Sequence, residues 1–191
     1  VSFTIDFTQQ PRRRCGDCQL CCKLLPVKSM AKLAGDRCSH QRHRKGCAVH
    51  AKLGRVSPEC KLWNCRWLVE DDVEGMSRPD RSHYVIDLMP DFVTLQDEAT
   101  GAAQHIQVVQ IWVDPDYPDA HKDPALRAFL ERRAKDNIIG LVRWDNTRGM
   151  ALFPPSRSEN GQWNEKHSDL RRQEEHSLAD VVKALTEPEA T

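Results

Sequence analysis

Residues 15–22 read CGDCQLCC, a C-x2-C-x2-C-C run, and four further cysteines follow at Cys38, Cys47, Cys60 and Cys65, so that every cysteine of this 191-residue chain lies between Cys15 and Cys65. A C-x2-C spacing lets two sulfurs turn toward one ion while backbone amides donate to them, and Gly16 relaxes the first such turn. One ion takes about four ligands. Cys21 and Cys22 are adjacent and their side chains diverge, so the first four cysteines are not expected to encircle one ion alone. Cys38, Cys47, Cys60 and Cys65 are therefore expected to fold back and share the metal or metals with Cys15, Cys18, Cys21 and Cys22. The expected organisation follows from this: a small cysteine-rich metal-binding module over 12–68, and an α+β domain over 80–186, either separate or integrated into one unit.

The metal has two readings. Cys15, Cys18 and Cys21 match the C-x2-C-x2-C portion that holds three corners of a 4Fe-4S cluster, although the usual x3-C-P continuation is missing. Paired cysteines from distant segments instead resemble zinc ribbons and knuckles, for which C-x2-C-C and C-x4-C are irregular. Zinc and iron, including an iron-sulfur cluster, both stay open. His40, His43 and His50 lie among the later cysteines, but eight thiolates suffice, and CSHQRHRKGC reads better as a solvated basic loop. A disulfide framework is the alternative for the whole cluster. It is disfavoured because Val1 to Gln10, VSFTIDFTQQ, lacks the charged start and apolar run of a secretory signal. The expected address is the cytoplasm. No stretch approaches the roughly 18 apolar residues of a membrane span.

The formal net charge is zero, yet residues 1–66 carry 14 Lys and Arg against 4 Asp and Glu, a net +10, and the remainder carries −10. Arg12, Arg13, Arg14, Arg42, Arg44 and Lys45 suit phosphate contacts on a nucleic acid. Metal-bound thiolates also need cations beside them, and this local neutralisation, or docking onto the acidic half, is the favoured reading because no nucleic-acid motif accompanies the charge.

CGDCQLCC, CSHQRHRKGC and SPECKLWNCRWL together resemble the bacterial eight-cysteine cluster family of zinc- or iron-chelating proteins. The resemblance covers residues 12–68, and the adjacent Cys21 and Cys22 make it fairly specific. It implies a ligand role for all eight cysteines and for nothing else. Flagellin lysine methylases carry a related cluster beside an enzyme, but this chain is short for that role and matches nowhere outside the cysteine region.

Beyond Cys65 the pattern becomes ordinary α+β. Tyr84 to Met89 is β-prone, and Phe92 to Gln96 with Ile106 to Val113 reads as a hairpin across the polar run at 97–101. Asp123 caps and Pro124 opens a helix whose Leu126, Phe129, Leu130 and Ala134 share one face. Ile138 to Trp144 and Met150 to Phe153 flank DNTRG as a second hairpin. Residues 154–168 read as a loop, and Ser177 with Asp180 opens a last helix through Leu185. The order predicts a small antiparallel sheet with helices on one side.

The chain has no P-loop, dinucleotide-binding glycine fingerprint, G-x-S-x-G elbow or H-E-x-x-H, so no catalytic residue is assigned. Asp87, Asp91, Asp114, Asp116 and Asp119 lie near prolines and read as turn caps. Trp63 and Trp67 are expected to cover the metal knot, and His83 and His105 to be ordinary core or surface histidines. Three functions rank in order. The first is a structural metal-binding module serving a protein partner; the second is an iron-sulfur-dependent redox or modifying enzyme; the third is a nucleic-acid binder.

Overall fold

The computed structural model describes residues 11–96 and 103–169, which fold as α+β. Short helices dominate the cysteine-bearing part: α1 (Leu20–Leu24), α2 (Leu53–Val56), α3 (Pro58–Leu62) and α4 (Arg66–Val69), with the small hairpin β1 (Gln41–Arg42) and β2 (Gly46–Cys47) between α1 and α2. Then come α5 (Pro79–Ser82), β3 (Tyr84–Ile86), β4 (Asp91–Gln96), β5 (Ala103–Val113), α6 (Pro124–Arg133), β6 (Ile139–Arg143), β7 (Arg148–Phe153) and β8 (Asn164–Asp169).

Six of these strands form one sheet in the order β3-β5-β6-β7-β8, with β4 also paired to β5. β5 is long enough to take both β4, opposite 103–108, and β3, opposite 111–113, end to end along one edge. Both expected hairpins are present, β4 with β5 and β6 with β7. The expected wholly antiparallel sheet is not. β5 and β6 run parallel, from Val108 opposite Ile139 to Trp112 opposite Arg143, because residues 114–138 carry the chain back across the sheet through α6, as parallel neighbours require. The expected loop at 154–168 is also corrected. Asn164–Asp169 pairs with β7 as an edge strand, and its exposed, polar side chains at 164–167 give no apolar alternation to read.

α6 begins as its sequence dictates. Asp123 accepts a hydrogen bond from the Ala125 amide at 2.8 Å, and Pro124 occupies the first turn, where no amide is needed. Its Leu126, Phe129 and Leu130 are completely buried against Ile86, Val109, Ile111, Val142, Met150 and Leu152. Gly140 admits this contact: a Cβ there would lie 3.1 Å from Leu130 Cδ1 and 3.2 Å from Ile111 Cδ1. The opposite face carries Val93, Ile106, Val108, Ile139, Leu141, Ala151 and Phe153. At its β3 end, Val85 and Trp112 on that same face pack with Leu20 and Leu24 of α1 and Leu68 and Val69 of α4. Helices therefore lie on both faces rather than one, since α1 and α4 have apolar sides of their own to bury. Among the described residues no helix is long and apolar enough to cross a membrane. The run at 97–101 and the helix expected from Ser177 lie outside the described residues.

Candidate metal centre

The cysteines sit on short, locally determined pieces of backbone. Cys15 to Cys18 closes a turn in which the Cys18 amide donates to the Cys15 carbonyl at 3.0 Å, and Gly16 takes the left-handed φ of +59° that the turn demands. Cys21 and Cys22 lie on α1, whose Leu20 and Leu24 are buried against the sheet. The Cys38 amide donates to the Cys22 carbonyl at 2.9 Å, and Cys47 ends the hairpin that follows. The Gln19 side chain ties that hairpin down by donating to the Arg42 and Gly46 carbonyls. Cys60 lies on α3, where Pro58 occupies the first turn and the Ser57 hydroxyl accepts from the Cys60 amide. Cys65 precedes α4, and its backbone bridges to Asp87 just beyond β3.

All eight thiols are free of disulfides. Desolvation pushes Cys65 up to about 12, with the charges of Cys15 and Cys18 adding to it. The hydrogen bond between Cys21 and Cys22 pushes Cys21 well up, as does its burial, and holds Cys22 down, where the Lys32 charge also favours the thiolate. Cys21 further feels Cys65 and Cys18. Desolvation raises Cys47, and Cys22, Cys38 and Cys60 add to the rise. Of the eight, Cys18, Cys21 and Cys65 share one apolar cluster, and the Cys38 amide is bonded to the Cys22 carbonyl. Among the described residues, no three Cys, His, Asp or Glu side chains are grouped so as to hold an ion. Soft thiolate donors in this number suit zinc or iron rather than calcium or magnesium.

The charge partners differ from those expected. Arg12 pairs with Asp71, while Arg13 donates to the carbonyls of Trp67 and Glu70 at 2.6 and 2.7 Å and lies over the Trp67 ring. These two arginines pin the start of the described chain to α4 and do not face the thiols. Lys32 and Arg78 do. Lys32 is 8% exposed and donates to the Leu25 and Leu33 carbonyls, beside Cys22 and Cys38. Arg78 donates to the Cys15 carbonyl at 3.2 Å and to Asp17 and Asp80. No sequence pattern marks either one, since Lys32 stands in an ordinary AKLAG stretch and Arg78 falls outside the cysteine region. Docking onto acidic residues is also seen, in Lys23 with Asp114 and Asp116 and in Arg66 with Asp72.

Trp63 and Trp67 both pack on the apolar cluster that contains Cys65, against which Cys18 and Cys21 also pack. They do not share a helix, because α3 stops at Leu62 and α4 starts at Arg66. Trp63 Nε1 donates to Asp87 at 3.0 Å. Asp87 and Asp114 accept amides two residues ahead, from Met89 and Asp116, as turn-capping aspartates do. His105 bonds Thr94, and His83 stacks on Tyr117 with centroids 3.5 Å apart. His43 and His50 are exposed and His40 half-buried in the basic loop. No family model matches the chain, and no curated protein or solved structure matches it either.

Proposed function

We propose that this protein binds metal through Cys15, Cys18, Cys21, Cys22, Cys38, Cys47, Cys60 and Cys65, taking zinc or iron, the iron as ions or as an iron-sulfur cluster. The metal braces the cysteine-bearing segment as a scaffold for a protein partner. One observation carries the reading: eight thiols free of disulfides lie within 15–65, and Cys18, Cys21 and Cys65 of them pack together on one apolar cluster beside Val85 and Trp112. Burial makes Cys15, Cys18, Cys21, Cys47 and Cys65 resist ionisation until a cation takes the proton's place, and a cation that does so links segments that little else holds. The resemblance to the eight-cysteine zinc- or iron-chelating family points the same way. When bound, the metal supplies the cross-link; Lys32 and Arg78 offset the remaining thiolate charge.

Metal analysis of the anaerobically purified full chain, with amide exchange before and after chelation, tests this. Retained zinc or iron, and loss of protection in 12–68 on chelation, are expected. A metal-free protein whose exchange a chelator leaves unchanged refutes it. Absorption near about 400–420 nm that bleaches with dithionite assigns an iron-sulfur cluster and favours the redox-enzyme alternative.

A second reading has its own observation. Arg42, Arg44, Lys45, Lys52, Arg55 and Lys61 are exposed and form no ion pair among the described residues. Such a surface suits a nucleic-acid backbone, and steeply salt-dependent RNA or DNA binding is its test.

A further inference from the structure

We infer that the exposed Tyr117 ring is a stacking platform for a base of single-stranded nucleic acid, whose phosphates lie on the cations of the β1–β2 hairpin beside it. This rests on the second reading above and names the form of nucleic acid and the residue that holds its base.

Helix α1 sets the hairpin and the ring side by side. Gln19, at its N-terminus, donates from its side chain to the Arg42 and Gly46 carbonyls and accepts from the Gln41 side chain, so the hairpin is fastened at its base. The turn closes with the Lys45 amide on the Arg42 carbonyl at 2.9 Å, and Arg42, Arg44 and Lys45 stay exposed with no ion pair among the described residues. Lys23 comes four residues after Gln19, and its amide donates to the Gln19 carbonyl at 3.2 Å. Residues so spaced are neighbours on a helix, about 6 Å apart along its axis. Lys23 holds Asp114 and Asp116, and Tyr117 is the next residue in the chain.

Tyr117 is firmly held. The His83 ring lies against it with centroids 3.5 Å apart and planes 11° from parallel. His83 is itself fixed, ending α5 at a left-handed φ of +62° while its carbonyl accepts from the Asp114 amide at 2.9 Å. The Tyr117 amide closes a turn on the Asp114 carbonyl at 2.8 Å. With one face on His83, the ring is still 51% exposed, and no other Phe, Trp or Tyr among the described residues is exposed. The carboxylates around it are engaged, Asp114 and Asp116 by Lys23 and Asp119 by Lys122 at 2.8 Å. Arg37 adds a cation nearby, because the Cys38 amide bonds the Cys22 carbonyl next to Lys23.

A base offers its flat face to a protein ring only outside a duplex stack, whereas phosphates need cations and no particular sequence. A ring backed by a second ring, beside unpaired cations, serves both parts of a single strand. A duplex meets the cations alone. Neither group reads the sugar, so ribose and deoxyribose strands are held alike. An anionic bilayer fits less well, since it calls for large apolar side chains among the cations, and within 41–62 Leu62 alone is of that kind and exposed.

Fluorescence anisotropy tests this, with the full chain, labelled oligo-U and oligo-dT strands of about 12 nucleotides and their duplexes, each titrated at several salt concentrations. Tyr117→Ala should weaken both single strands roughly tenfold, leave their salt slope unchanged and leave the duplexes unaffected, while Tyr117→Phe keeps the parent affinity. Arg42→Gln/Arg44→Gln/Lys45→Gln should weaken single strands and duplexes together and lower the single-strand salt slope by about 2. Ultraviolet cross-linking of a bound strand to the unmodified chain should mark the peptide that contains Tyr117, which keeps the inference testable if a variant does not fold. Single-strand binding that Tyr117→Ala leaves intact, an equal loss for duplexes, or cross-links that miss Tyr117 overturn the platform and leave the nucleic-acid reading standing. Failure of every strand to bind at low salt overturns both.

Discussion

Replacing Trp63 with phenylalanine keeps an aromatic ring on the apolar cluster that contains Cys65 and removes one donor, the Nε1–H that reaches Asp87 at 3.0 Å. Asp87 is desolvated, which raises it above the ordinary 3.8, and its bonds from Met89 and Trp63 work against that rise. The sign follows. A carboxylate raised in the fold is tolerated best while protonated, below 3.8, and its ionisation takes stability away as pH climbs through the folded value. Trp63 reduces that loss. Its removal should therefore raise Asp87 further and cost most at neutral pH, on the order of 1.5–3 kcal/mol for a hydrogen bond to a charged group.

Trp67→Phe supplies the control, because Trp67 Nε1 donates to a neutral acceptor, the Met76 carbonyl at 3.1 Å. Its cost should be roughly 0.5–1.5 kcal/mol and flat with pH. Urea denaturation of both variants and the parent, from neutral pH down toward 3.8, reads the difference. The Cys65 backbone bridges to Asp87, so Trp63→Phe should also speed alkylation of Cys65, while Trp67→Phe should do so less. Equal costs for the two variants, with no pH dependence in either, would refute the reasoning.

Gly140→Ala forces a methyl group to within 3.1 Å of Leu130 and 3.2 Å of Ile111, and thermal unfolding should show a loss of about 1–3 kcal/mol from overpacking under α6. Asp145 accepts from the amides of Thr147 and Arg148 and from both side chains at 2.7–2.9 Å; these bonds outweigh burial and hold its carboxyl below 3.8. Asp145→Ala should accordingly cost about 1–2 kcal/mol at neutral pH, and the gap to the parent should close as pH falls through the depressed value, in denaturation curves taken at successive pH. Lys32→Gln should shift metal release to higher pH, whereas Arg12→Gln/Arg13→Gln should lower stability and leave the release curve in place, as a metal titration against pH would show.

What the sequence reveals depends on how far apart the causes lie. The start of α6 is written within four residues, Asp123 to Leu126, and the β6–β7 hairpin within Ile139 to Phe153, so both are legible. The parallel pairing of β5 and β6 is set by where α6 packs, which no local pattern states. β8 is held by the backbone groups of β7, and its residues Asn164 to His167 carry no trace of that in their side chains. The cysteines follow the same rule. Their spacing marks all eight as candidate ligands, but the neighbour that fixes Cys65 is Asp87, and the cation beside Cys15 is Arg78, each many residues away.

Charge makes the point most sharply, because nearness in sequence gives the wrong partners. Arg12, Arg13 and Arg14 directly precede Cys15, yet Arg12 and Arg13 turn to Asp71 and to carbonyls of α4, while Arg14 is exposed. A guanidinium at the surface gains little from a distant thiolate through water, but a donor held against a carbonyl and an aromatic ring gains a fixed geometry. Lys32 is different in kind. It is buried, it is satisfied by two carbonyls, and desolvation lowers its own pKa, against which the neighbouring Cys38 and Cys22 work. A buried ammonium of this sort needs its anions as much as the anions need it. The +10 of residues 1–66 therefore divides by burial: Lys32 beside the thiols, Arg12 and Arg13 fastening α4, and exposed cations from Arg42 to Lys61 left facing solvent. Only the first of these groups should register the loss of metal.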